Sequence, residues 1–460
     1  MTLFNYKTRH LVGVLMLGLA MLLPGTQLMA AGHDIRGING PNFNLYAFPF
    51  NMNLPEGTSL HMWGFGDMNA GATSSHPEGN GFVAPQYPAP TLIVNQGDTV
   101  TINMTNYGVP QPVSIVVAGQ QVAASGGTAG MITRAANVGE TVTYTFVASE
   151  AGTYLYHSLD GSNPGLHVEM GLVGTLIVRP TGYDKDTNRV AYTANGTDYD
   201  HEYLYLLTEI DPEVHLQVER GHYTHFTNND RFAKVWFVNG RVFPDLFQGN
   251  YNPLFPNQPY QSLSLSHPGD RILVRAANGG HDSHPFHFHG ENLTFIARDG
   301  RVLSSDSGVT ADLGRSDNTL NSAPKQTVDM IWTWTGKNLG WDIYGHDTEH
   351  VCIDGDGDGF GDVSAGSTYE HEWCADHGKA LSDKVTLPGV GDLALGGWWS
   401  GSPFLGDTGD MPPGEGGLNP FGGYFLVWHS HAEKELTTFD IFPGGSLSTV
   451  VVLPPYIPIQ

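Results

Sequence analysis

Histidines at short, regular intervals are the first chemical signal in this 460-residue chain. In His284-Pro-Phe-His287-Phe-His289-Gly290, His287 and His289 stand two residues apart, the period at which a β-strand returns side chains to one face. Trp428-His429-Ser430-His431 repeats that spacing, and Tyr156-His157-Ser158 with His167 and Met170 makes a third cluster. Neutral imidazole ligates Cu, Zn, Fe and Ni, so one His-x-His pair chooses no metal and is equally consistent with a structural pair. Two such pairs, each closing an apolar strand, point to a metal centre.

A second ligand pattern is chemically harder. Asp354-Gly-Asp356-Gly-Asp358-Gly359-Phe360-Gly-Asp362 alternates carboxylates with glycine at the sharp turn. Clustered oxygen ligands of this kind suit Ca²⁺, and the stretch resembles an EF-hand-type loop or a thrombospondin type 3 repeat. Ala365 stands where an EF-hand carries its bidentate Glu, and a solvated acidic turn is the alternative. His281, His346, His350, His371 and His377 are further loop histidines that could add ligands.

The elements that must position these residues read as strands. Thr99–Met104 sets Val100, Ile102 and Met104 on one face, and Val142–Phe146, Thr153–Tyr156 and Gly174–Val178 continue the style. Residues 40–180 form one β-sandwich, and 181–198 is the connecting segment. Residues 199–455 form a second sandwich, with strands at Lys234–Val238, Ile272–Ala276, Leu293–Ala297, Val328–Trp334, Gly423–Trp428 and Thr449–Leu453. A Gly-, Asp- and Pro-rich stretch at about 336–420 reads as a long loop insertion in that sandwich. No segment shows a sustained helical period. With Gly 59 and Pro 29, the fold class is all-β.

Lys7, Arg9 and His10 precede an apolar run from Leu11 to Leu23, broken by Pro24 and Gly25 and followed by Ala30 and Ala31. That is the layout of a secretory signal peptide over residues 1–30, and the run is short for a membrane span. The expectation is an exported protein, periplasmic or extracellular, with no membrane span once the signal is removed. The formal net charge of −25 disfavours nucleic acid and anionic membranes as partners and favours cations. Cys352 and Cys374 are the chain's two cysteines, and in an oxidising compartment they are expected to pair, leaving no thiol for a metal.

His284-Pro-Phe-His287-Phe-His289-Gly290 resembles the HPxHxHG signature of the multicopper oxidase superfamily. The resemblance implies tandem cupredoxin-like Greek-key β-sandwiches and copper as cofactor. It assigns His284 to a blue type 1 copper, His287 to type 2, His289 to type 3, and His429 and His431 to type 3 copper. The family's thiolate cysteine is Ser430 here, its next type 1 histidine is Glu435, and its axial methionine is Asp440. In the first sandwich, Gly152-Thr-Tyr-Leu-Tyr-His157-Ser158-Leu159 resembles GTYWYHSH, with His157 kept as a copper ligand and Leu159 in place of the second histidine. Val116-Val117-Ala118-Gly119 stands where HxHG is expected, and Ser158 stands where two-domain nitrite reductases carry cysteine. Of the eight histidines that hold the family's trinuclear cluster, five have counterparts: His157, His287, His289, His429 and His431. The Trp428–Gly445 stretch, with HSH followed by FPGG, is similar to a bacterial subgroup of multicopper proteins, some linked to manganese or iron oxidation.

The resemblance therefore implies a copper-dependent oxidoreductase without a blue relay. It would oxidise a metal ion or small electron donor, with O₂ as an acceptor, and two-domain relatives imply a homotrimer. The alternative from the same residues is a non-enzymatic copper-binding protein for storage or scaffolding.

Overall fold

The computed structural model describes residues 34–70, 81–159, 163, 165–223, 230–345, 349–380, 404–406 and 423–459. The leader at 1–30, His346 and much of the insertion lie outside the described residues.

Alternation builds the first sandwich. In Thr99–Asn106 every second residue is buried, and the strand pairs antiparallel with Thr141–Val147 so that Val142 lies opposite Met104 and Phe146 opposite Val100. Their sheet runs Gly81–Gln86, Ser59–Ala70, Asn42–Asn53, Thr99–Asn106, Thr141–Val147, Ala123–Gly126. The facing sheet runs Ile38–Asn39, Leu92–Asn95, Val173–Arg179, Gly152–His157, Val116–Val117. Phe43, Trp63, Phe65, Tyr144 and Tyr156 fill the space between them. Mixed parallel and antiparallel neighbours from non-consecutive strands give Greek-key connectivity.

The second sandwich repeats the plan. One sheet orders Val235–Val238, His201–Ile210, Ile272–Asn278, Thr327–Trp332, Leu293–Arg298 and Arg301–Val302, with Arg315–Asp317 also on Leu293–Arg298. The other orders Leu263–Ser266, Leu447–Val452, Tyr424–Ser430, His284–Phe288 and Thr319–Ser322. Tyr205, Phe286, Phe288, Trp332 and Trp428 close the core. Gly152–His157 and Thr327–Trp332 are buried along their whole length because strands cover them laterally and the other sandwich covers an outer face. There Thr153 Oγ1 donates to Asp329 at 2.7 Å, and Arg275 Nε donates to Glu202 at 3.1 Å.

Three features differ from the sequence reading or extend it. A helix forms at Pro212–Glu219, capped by the Asp211 carboxylate accepting from Glu213 N at 3.0 Å. Eight residues are too few to show a period, but Asp followed by Pro at the first helical position was the available signal. The connecting segment is no free linker: Ala191, Tyr192 and Ala194 are buried against Leu273, Ile296 and Ile331. Trp341, Ile343 and Tyr344, at the start of the insertion, enter the second core, and Cys352 and Cys374 form a disulfide.

Candidate metal centre

His287 and His429 face each other across the antiparallel pair formed by His284–Phe288 and Tyr424–Ser430. Since His289 and His431 each lie two residues on, strand alternation brings four imidazoles to one place. Ring centroids are 4.6 Å apart for His287–His431, 4.8 Å for His287–His289, 5.1 Å for His289–His429 and 5.2 Å for His429–His431. The Nε2 atoms of His289 and His429 are 3.1 Å apart. His289 and His429 are buried, His287 is half-buried and His431 is exposed, so the cluster opens on one side.

The neighbours fix which nitrogen each ring offers. His429 Nδ1 lies 2.8 Å from the Ser430 carbonyl, which only accepts, so Nδ1 carries the proton and Nε2 keeps its lone pair. His287 Nδ1 is 2.7 Å from Thr319 Oγ1, which likewise leaves Nε2 for a ligand. Trp428 Nε1 donates to the His289 carbonyl at 3.1 Å and pins the strand end. Burial, and then electrostatic coupling to His289 and His431, push His287 down to about 4. Burial lowers His429 to about 4 against the opposing Ser430 hydrogen bond, with the adjacent histidines adding to the effect. Converging imidazoles, two of them with Nε2 left free by their hydrogen bonds, are a donor set that suits a copper ion, so these residues fit the metal.

His284 does something else. Its Nδ1 is 2.9 Å from Glu435 Oε2 and its Nε2 is 2.9 Å from Glu209 Oε2. Burial alone would lower this ring, but the two carboxylates push it up to about 10. An imidazolium with both nitrogens donating has no lone pair for a metal. Where the resemblance puts a type 1 ligand, both nitrogens of His284 thus face carboxylates, in a buried carboxylate–histidine–carboxylate triad. The chain of charges continues into the first sandwich. Arg231 bonds Glu209 at 2.8 Å and Glu169 at 2.6 Å, and Glu169 belongs to the helical turn Leu166–Glu169. Burial opposes ionisation of Glu209, yet His284 and Arg231 hold its carboxyl down at about 2. Glu169, buried with less compensation, rises to about 7.

At the corresponding position of the first sandwich, serine again meets a histidine. Ser158 Oγ accepts from Ser114 N at 3.0 Å and lies 2.7 Å from His167 Nδ1. The serine that stands for cysteine thus hydrogen-bonds the retained histidine. Asp440 is exposed. His157 ends the strand Gly152–His157. Its buried ring sits where the sandwiches meet, and burial followed by the charge of Lys325 lowers it to about 4. In the acidic loop, Asp354, Asp356 and Asp358 converge and are exposed. Asp362 is not among the converging groups; its carboxylate accepts from Gly355 N. The sequence reading missed Thr319 and Glu209 as partners, because Thr319 meets His287 only through strand register and Glu209 reaches His284 from a strand of the other sheet.

Residues 71–182 match the family model described as multicopper oxidase. Over that stretch the chain is similar to multicopper oxidases. The L-ascorbate oxidase of Cucumis sativus is 36% identical over 113 residues, 22% of this chain and 19% of that protein. Copper resistance protein A of Escherichia coli is 25% identical over 326 residues, 65% of this chain and 51% of its own length. The chain thus spans about a fifth of the ascorbate oxidase and about half of the copper resistance protein. Among solved structures, multicopper oxidase mgLAC superposes with a TM-score of 0.51 at 17% identity, covering 91% of this chain and 87% of that one. A blue copper oxidase from Nitrosomonas europaea gives 0.50 at 18%, covering 89% and 85%. At these identities the structures support the cupredoxin fold, and the superfamily implies copper as the cofactor of the multicopper oxidase domain.

Proposed function

We propose that this chain is an exported copper-dependent oxidoreductase that oxidises a metal ion or small organic donor directly at the four-histidine centre, with O₂ as acceptor. The carrying observation is the convergence of His287, His289, His429 and His431, with two Nε2 atoms 3.1 Å apart. Copper held there would supply one-electron redox chemistry. The chain's own contribution is to hold two tautomers through Thr319 and the Ser430 carbonyl, and burial holds His287 and His429 below the usual imidazole range. It also leaves the His431 side open to a small donor. A net charge of −25 favours encounter with cationic donors. Ser158 and Ser430 offer no thiolate, so the donor must reach this centre itself rather than deliver electrons through a blue copper.

The same proposal includes export by the leader, Ca²⁺ on Asp354, Asp356 and Asp358, and a trimer in which a neighbour covers the open side of the centre. Its test is copper content with visible and EPR spectra on the copper-loaded chain, together with O₂ uptake in the presence of Mn²⁺, Fe²⁺, Cu⁺ and phenols. Bound copper without an intense blue band, with O₂ consumed, is expected. An intense blue band refutes the missing relay, and a chain that binds no copper refutes the whole reading. The second reading, copper storage or scaffolding, is favoured by serine at both thiolate positions, Ser158 and Ser430, and predicts bound copper with no O₂ uptake.

A further inference from the structure

The insertion holds a second convergence of ligands, chemically unlike the first. His350 Nε2 lies 3.2 Å from Asp342 Oδ2 and 3.2 Å from Glu372 Oε1. His377 Nδ1 lies 2.7 Å from that same Glu372 oxygen and 3.6 Å from that same Asp342 oxygen. Two nitrogens and two oxygens thus alternate around one point, all within 4.8 Å of one another. The side chains of His350, Asp342 and Glu372 are 1%, 0% and 2% exposed, and His377 forms the accessible edge.

The contrast with His284 decides what this arrangement is for. At His284, two carboxylates take opposite nitrogens of one ring, the geometry of an ion triad. In the insertion, a single nitrogen of each ring faces both carboxylates. One N–H carries one proton and cannot serve two oxygens well, whereas a cation at the centre satisfies all four donors together. Bonds of about 2.0–2.1 Å from Zn²⁺ to nitrogen and oxygen, in a tetrahedron, separate neighbouring ligand atoms by about 3.3 Å. The four separations straddle that value. A further observation points the same way: Glu372 Oε2 is buried with no hydrogen-bond partner among the described residues, an uncompensated carboxylate oxygen beside the convergence.

We propose that Asp342, His350, Glu372 and His377 bind one divalent transition cation, Zn²⁺ by donor type and geometry, as a structural site separate from the copper centre. Two carboxylates with two neutral imidazoles carry the charge a divalent cation cancels, and four protein ligands close a tetrahedral structural site. The covalent frame is already arranged for it. Cys352 follows His350 by two residues, Cys374 follows Glu372 by two, and their disulfide holds those ligand-bearing segments together. Asp342 follows Trp341, which is buried in the second core, and its Oδ2 accepts from Gly378 N at 2.6 Å. Tyr344 and Tyr369, stacked at 3.8 Å, wall the His350 side. The cation therefore fastens a turn-rich insertion, which has little core of its own, onto the sandwich that carries the four histidines.

The test uses the full chain, stripped with a chelator, loaded with copper and then titrated with Zn²⁺ or Co²⁺. One further equivalent should bind, with the intense visible bands of tetrahedral Co²⁺. Glu372→Gln and His377→Ala should each abolish that equivalent while leaving the copper content unchanged, and His429→Ala should lower copper without reducing zinc. His377 is partly exposed, so its variant carries the test if Glu372→Gln fails to fold. Absence of a further equivalent in the wild-type chain, octahedral Co²⁺ spectra, or retention of the cation by His377→Ala overturns the proposal. Loss of zinc together with copper in His429→Ala overturns the claim of separate sites.

Discussion

Replacing His284 by alanine withdraws the cation from between Glu209 and Glu435, whose side chains are 0% and 8% exposed. Glu209 keeps Arg231 and the amides of His281 and Asp282 on Oε1, but its Oε2 loses the His284 contact. Breaking a buried pair from one side costs about 3–5 kcal/mol. An independent route gives a similar size. The His284 ring rises from 6.5 to about 10, and at about 1.4 kcal/mol per pH unit that is about 5 kcal/mol of stability at most. The sign follows from proton binding. Below pH 6.5 the ring is protonated in folded and unfolded chains alike, and its contribution is complete. Between 6.5 and about 10 the unfolded ring sheds its proton while the folded one keeps it, so the contribution falls as pH rises and is gone above the folded value. Urea denaturation of wild type and His284→Ala at half-unit steps from pH 6 to pH 10 isolates this group, because other titrations cancel in the difference. The gap should be about 3–5 kcal/mol at pH 6 and close progressively towards pH 10. Copper content should not change, since both ring nitrogens face carboxylates rather than the metal centre. A pH-independent gap below about 1 kcal/mol, or loss of copper with stability intact, would refute the triad.

Alanine at His287 or His429 should lower copper affinity at least tenfold, measured by competition with a chelator, while His157→Ala should leave it within about twofold. Because His287 and His429 are held down at about 4, copper should be retained as pH falls past 6.5 and released near pH 4, read by dialysis and metal analysis. The same depression means that the copper-free fold loses stability as pH falls from 6.5 to about 4, where unfolded histidines take up protons that the buried rings refuse. Arg275→Met strips the guanidinium from Glu202 and Asp329 between the sandwiches and should cost about 3–5 kcal/mol in urea denaturation; a loss under 1 kcal/mol would show the interface to be unstrained by it. Replacing Cys352 and Cys374 by serine removes a closure of separation 22, worth about 3 kcal/mol, and should make the insertion the first site of limited proteolysis while the sandwiches resist.

Much of this was open to reading along the chain. Val100, Ile102 and Met104 announce a half-buried strand by alternation, and they are buried in a strand paired as such a pattern demands. His-x-His at 287/289 and 429/431 announced shared faces, and the four rings do meet. Ser158 and Ser430 excluded a thiolate ligand outright. The Pro212–Glu219 helix escaped because its length hides a period, and the connecting segment's packing escaped because Tyr192 and Ala194 read as polar-loop neighbours rather than core.

What the sequence by itself determined is whatever depends on local period and residue chemistry: strand faces, the imidazole pairs, and the absence of a thiolate at Ser158 and Ser430. What only the tertiary structure decided is which histidines can give a lone pair to a metal. His284 and His287 are three residues apart on one strand, yet the first is pushed up by two carboxylates and the second is held down by burial and other imidazoles. The difference lies in Glu209 and Glu435, 75 and 151 residues away, which the strand His201–Ile210 and the turn Glu433–Leu436 deliver to His284. His287 instead receives Thr319 and three other rings. A histidine's protonation is set by burial and by the charges within a few ångströms, and neither is a property of its neighbours in sequence.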